Sequence, residues 1–155
     1  MPYKVLIEDY ATGPARFREA VTGLTAAQLD AVPVAGQWST RQVVCHVADF
    51  EIVYADRMKR VLAEEQPTLF GGDPDQFAAR LAYTRREVET ELQVIEAVRQ
   101  QMTQILGTLP AEEFLRQGIH AQAGPVTLEK LLTQITLHVP HHTKFILQKR
   151  NALGA

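Results

Sequence analysis

The chain has 155 residues, 46% of them hydrophobic and 22% charged, which excludes a disordered or collagen-like chain and is enough for one domain with its own core. Lys+Arg 16 against Asp+Glu 18 gives a net charge of −2, so no basic footprint points to nucleic acid or an anionic membrane surface. A lone cysteine, Cys45, rules out an internal disulfide, no apolar run approaches the ~18 residues of a membrane span, and the charged start MPYKVLIEDYATG is unlike a signal peptide. The expectation is a single domain over residues 1–155 in a reducing cytoplasm.

The first helical segment runs from about Tyr3 to Leu24, with Phe17, Ala20, Val21 and Leu24 at helical spacing. Gly13-Pro14 interrupts it, and Pro14 should break, kink or restart the helix. Thr25 to Gln28 has the form of a capping box opening a short turn through Leu29. The loop AVPVAGQW follows. A second capping box, Ser39 to Gln42, opens a helix that reaches about Glu65 and stops before Pro67. Val43, Val47, Phe50, Val53, Tyr54 and Val61 form its inward stripe.

After the linker QPTLFGG, Asp73 reads as an N-cap with Pro74 in the first turn and Gln76 at N3. From there the apolar spacing of Leu81, Val88, Leu92, Ile95, Val98, Met102 and Ile105 predicts one helix of roughly 30 residues, ended by Gly107. The connector TLPAEEFLRQGIHAQAGP is expected to hold one helical turn, at Pro110–Leu115. The last helix spans about Thr127 to Arg150, with Leu128, Leu131, Leu132, Ile135, Val139 and Ile146 inward. No strand pattern stands out. The fold class read from this is all-α, a four-helix bundle with a long connection between its third and fourth helices.

The chemistry lies in the histidines. His138 and His142 are four residues apart, on one face of the last helix and on its apolar stripe. His46 lies on the inward stripe of the second helix, three after Val43 and four before Phe50. Inward histidines can be hydrogen-bonded core residues, but three together are expensive to bury without partners. A divalent cation would satisfy all of them. Neutral nitrogen ligands without a thiolate fit Zn²⁺, Ni²⁺, Fe²⁺ or Co²⁺, and three protein ligands leave a coordination position open for water or a thiol.

Around them, Asp49 could orient a histidine or be a solvated carboxylate. His141 is rotated about 100° from His142 and should not bind the same ion from a regular helix, although a kink at Pro140 would weaken that exclusion, which leaves it either supporting the ligands from beside the site or on the surface. His120 sits in a Gly-flanked loop, on the surface or in a lid. Arg57, eleven residues past His46, needs an acid, with Glu91 one candidate, or acts as a substrate clamp. Cys45 should be a small packing residue and Trp38 a plug at the bundle end. Pro140, between the paired histidines, should bend the helix beside the site.

Trp38-Ser39, VVCHVADFE (Val43–Glu51), Arg57, GIHAQAGPVTL (Gly118–Leu128) and HVPHHTKFI (His138–Ile146), in that order, resemble the DinB-like superfamily and within it the YfiT-type branch. The resemblance implies a four-helix bundle with a long crossover, a homodimer, and a nickel or zinc ion held by His46, His138 and His142. It further implies activity on a small-molecule substrate. Thiol-dependent S-transferases using bacillithiol, mycothiol or glutathione are the leading expectation, since no Asp or Glu is placed as a base. A metal-dependent hydrolase using metal-bound water is the first alternative, and a non-catalytic metal-binding stress-response protein the second.

Overall fold

The computed structural model describes residues 1–155. Helix α1 spans Lys4–Val21 without interruption, which corrects the expected break at Gly13-Pro14. Pro14 has no N–H for the Tyr10 carbonyl one turn back. Arg99 supplies the missing donor, with Nη1 2.8 Å from Tyr10 O. Gly13 makes room for it, because a Cβ at that position would overlap the Arg99 guanidinium. The proline is tolerated because a partner side chain takes over the lost backbone bond.

Both capping boxes form. Thr25 and Gln28 open the short helix α2, Ala26–Asp30, and Ser39 and Gln42 open α3, Thr40–Ala63. In α3 the Ser39 N–H donates to Gln42 Oε1 at 2.9 Å and the Gln42 N–H to Ser39 Oγ at 3.2 Å. These bonds fix where the helix carrying His46 begins.

The expected ~30-residue third helix is two helices, α4 at Pro74–Arg80 and α5 at Val88–Leu106. Ala82 takes a left-handed conformation, φ 55°, and ends the first piece. Leu81 is accordingly 44% exposed rather than in the core, while Tyr83 is 1% exposed. The intervening turn is organised around Arg86. Its guanidinium reaches Asp49, Glu91 and the Leu81 carbonyl, and its own carbonyl accepts from Arg41 Nη1 at 2.9 Å.

The connector also differs from expectation. The helical turn is present as a 3₁₀ segment, Ala111–Leu115, but three short strands follow or precede it. β1 (Thr68–Leu69) pairs in parallel with β2 (Gln117–His120), which pairs antiparallel with β3 (Gly124–Thr127). Strands of two to four residues carry too little alternation to be read from sequence. Gly118 is required here, since a Cβ would sit 2.7 Å from Leu69 Cδ1.

The last helix, α6, covers Leu128–Leu153 and passes through Pro140. Helices α1 and α3 each pack on both α5 and α6, so α1 lies diagonally across from α3, and α5 across from α6. One end of the core is built from Tyr10, Met58, Met102, Leu106, Phe114 and Leu132. The other is built from Phe17, Val44, Val47, Leu92, Val139 and Ile146. No helix is long and apolar enough to cross a membrane.

Candidate metal centre

Helices α3 and α6 pack side by side and bring three imidazoles together. His46 comes from the second turn of α3, and His138 and His142 come from successive turns of α6. The Nε2 atoms form a triangle with every side 3.0 Å. Hydrogen bonds cannot satisfy this triangle. A ring nitrogen bearing hydrogen has no in-plane lone pair, so each Nε2 is either a donor or an acceptor. Any assignment to three mutually adjacent nitrogens leaves two like atoms facing each other.

A single cation satisfies all three. Nitrogens at ~2.0–2.1 Å from a common ion stand about 2.8–3.4 Å apart between octahedral and tetrahedral angles, and 3.0 Å lies within that range. Protonation does not compete at neutral pH. Burial, opposed by the Asp49 carboxylate, lowers His46 to about 4. Burial and then the neighbouring His142 and His46 lower His138 to about 2. Burial and then His46 lower His142 to about 3. All three rings are therefore neutral, the form a metal needs.

Aromatic rings wall the triad. His46 lies 4.8 Å from Phe50 and 5.2 Å from Trp38, ring centre to ring centre. Phe77 of α4 backs Phe50 at 5.2 Å. On one side the triad opens through His142 into a cavity of about 270 Å³, lined also by Gln37, Trp38, Val43, Phe145 and Lys149. Trp38 thus packs on the core at the bundle end and also walls this cavity. Neither Phe77 nor Lys149 was picked out from the sequence. Lys149 carried a readable signal, standing seven residues, two turns, past His142 on the same face.

The other residues expected to act at the site are engaged differently. Asp49 does not orient a histidine; its two oxygens accept from Arg86 at 2.8 and 3.0 Å. The Nδ1 atoms of His46 and His138 are buried without a protein partner. Arg57 pairs with no acid. Its Nη2 donates to the Phe70 carbonyl at 2.7 Å, and its guanidinium lies 4.8 Å from the Tyr54 ring centre. It lines a separate cleft on the outer side of α3, so it is no clamp beside the triad. Glu91, its candidate partner, is held by Arg86.

His141 is exposed, its ring 5.0 Å from that of His142, and is outside the triad. His120 Nδ1 accepts the N–H groups of Gln122 and Ala123 at 3.2 and 3.1 Å, which makes it the turn-former of the β2–β3 hairpin. Cys45 is buried, its Sγ 3.6 Å from the Tyr83 carbonyl, and burial pushes the thiol up to about 11. That is a packing residue and a poor nucleophile. Pro140 faces outward, on the far side of α6 from the triad.

The chain is 29% identical over 142 residues to YfiT of Bacillus subtilis, with 91% of this chain and 80% of that protein covered. It is 27% identical over 153 residues to a protein of Oceanobacillus iheyensis, with 94% and 88% covered. Both relatives carry the provisional name of metal-dependent hydrolase. The solved structure of Bacillus subtilis YfiT, described as having an unusual four-helix bundle topology, matches with a TM-score of 0.91 at 28% identity, covering 97% of this chain and 87% of that one. The mycothiol-dependent maleylpyruvate isomerase matches with a TM-score of 0.72 at 14% identity, covering 93% and 60%, a likeness of fold alone. Residues 9–146 match the DinB superfamily, and the chain belongs to that superfamily.

Proposed function

We propose that the chain is a metal-dependent hydrolase that holds a divalent ion, zinc or nickel, on the Nε2 atoms of His46, His138 and His142. The observation that carries this reading is the 3.0 Å nitrogen triangle opening on a cavity. The provisional names of its relatives support the same class. When bound, such an ion supplies Lewis acidity, lowering the pKa of a coordinated water or thiol and polarising a carbonyl.

The chain's own residues bind, orient and shelter. Helices α3 and α6, fixed by the Ser39 cap and by shared packing, hold the three rings at a common distance without help from a carboxylate. Trp38, Val43 and Phe145 form apolar walls against which a small substrate can lie beside His142. The low proton affinity of the rings keeps the ligand set available at neutral pH.

A second reading, S-transfer with a low-molecular-weight thiol at the open position, is favoured by one observation. Asp49 and Glu91 are engaged by Arg86, Glu51 is engaged by Arg99, and no carboxylate lines the cavity. A thiol acidified at the ion needs no side-chain base. Zinc- or nickel-loaded protein incubated with p-nitrophenyl esters, and separately with cysteine, glutathione or bacillithiol plus 1-chloro-2,4-dinitrobenzene, decides between them. Metal-dependent ester turnover without added thiol is the expected result. Turnover only with thiol transfers the assignment to the second reading, and no turnover in either assay leaves a non-catalytic metal-binding protein.

A further inference from the structure

Lys149 is 2% exposed and makes no ion pair. Its Nζ has one hydrogen bond, a long one of 3.5 Å to the Phe145 carbonyl a turn back in its own helix. Burial alone holds its amine below the usual lysine range, with no acidic group to offset it. A buried ammonium without a counter-charge is unfavourable unless something supplies one. The protein does not supply it. Lys149 instead lines the cavity that also exposes His142, and the other lining residues are Gln37, Trp38, Val43 and Phe145.

On α6 the residues His142, Phe145 and Lys149 follow at i, i+3 and i+7, one stripe along a single face. One triad residue and a lone lysine thus line the same small, mostly apolar, open cavity. A chamber of about 270 Å³ holds a small molecule and little more.

We propose that Lys149 is the anion-recognising residue of the substrate site, and that the cavity takes a small organic monoanion: a carboxylate on an apolar or aromatic body. The carboxylate accepts a charge-assisted hydrogen bond from Nζ. The body lies against Trp38, Val43 and Phe145, which directs its far end towards His142. This deepens the proposed function and rests on it only in taking the cavity as the substrate's.

Trp38 is the only tryptophan and lines the chamber, so its fluorescence reports occupancy directly. The probe is benzoate, compared with its neutral analogue benzamide, titrated into protein kept metal-free with EDTA so that neither can bind an ion, and then into zinc-loaded protein. Metal-free wild type should bind benzoate saturably and at least about tenfold more tightly than benzamide. Lys149→Met should lose that preference, while Lys149→Arg keeps most of it and both variants keep wild-type zinc content. Equal binding of benzoate and benzamide by wild type, or undiminished benzoate binding by Lys149→Met, overturns the assignment. Should Lys149→Met not fold, as judged by circular dichroism, the wild-type ratio and Lys149→Arg decide alone. Loss of zinc binding with the benzoate preference intact would instead count against the three-histidine site and leave Lys149 standing.

Discussion

Arg99 donates to a single oxygen of Glu51, Oε1, from both Nε at 2.9 Å and Nη2 at 2.5 Å. The pair is fully buried and lies where all four long helices meet. Arg99 belongs to α5 and Glu51 to α3, and the same guanidinium reaches Tyr10 O on α1 and Ile135 O on α6, each at 2.8 Å. Breaking such a pair leaves an uncompensated buried charge. Glu51→Gln should destabilise the protein by about 3–5 kcal/mol in urea denaturation. Replacing both partners by apolar residues should recover only part of this, because the Tyr10 carbonyl freed by Pro14 then has no donor.

Gly13 makes this arrangement possible. Its hydrogen faces the Arg99 guanidinium where any side chain would collide. Gly13→Ala should therefore cost about 1–3 kcal/mol despite the better helix propensity of alanine. A stabilised Gly13→Ala variant in thermal unfolding would show that Arg99 is not held against α1.

Acid should weaken the metal-free protein through the triad. In the unfolded chain the imidazoles take up protons near their ordinary value of about 6.5. In the folded chain they resist until about 4, 3 and 2 for His46, His142 and His138. Between those limits the unfolded state binds more protons, so stability falls as the pH drops below about 6.5 and levels off only below the native values. Denaturation midpoints of EDTA-treated protein between pH 7.5 and 4 measure this slope. Substituting the three histidines by Gln should flatten it, and bound zinc should steepen it because protons then compete with the ion.

Arg86 holds Asp49 and Glu91 together at the turn between α4 and α5. A carboxylate that orients a metal ligand typically changes affinity about 10–100-fold when removed. Asp49 has no such bond, so Asp49→Asn should leave zinc affinity within about threefold of wild type, well short of that range, while lowering stability. A large loss of affinity in a chelator competition would reveal a contact between Asp49 and a histidine.

The helices and the triad were legible because their signals are local and periodic. His46, His138 and His142 each fall on an apolar stripe, and Ser39 and Thr25 mark their helix starts with paired caps. What was not legible depends on distant partners. Pro14 reads as a break until Arg99, far along the chain, is seen to serve the freed carbonyl. Leu81 fits a heptad with Val88, yet Ala82 turns the chain and Tyr83 takes the buried place. Arg57 was correctly inward and Glu91, whose direction the sequence left open, is buried too, but their partners are the Phe70 carbonyl and Arg86, which no spacing rule connects. The β1–β2 pairing joins residues so far apart in sequence, over so few positions, that only the folded bundle brings them together.

The three-histidine centre is tested most directly by the metal content of untagged protein, measured by plasma mass spectrometry alongside X-ray absorption at the bound metal's edge. One equivalent of a divalent ion per chain, with three imidazole nitrogens at ~2.0–2.1 Å and loss of the ion in His138→Ala, is the result the nitrogen triangle requires. Protein that takes up no stoichiometric ion from zinc or nickel, or a His138→Ala variant that keeps its full complement, would contradict it.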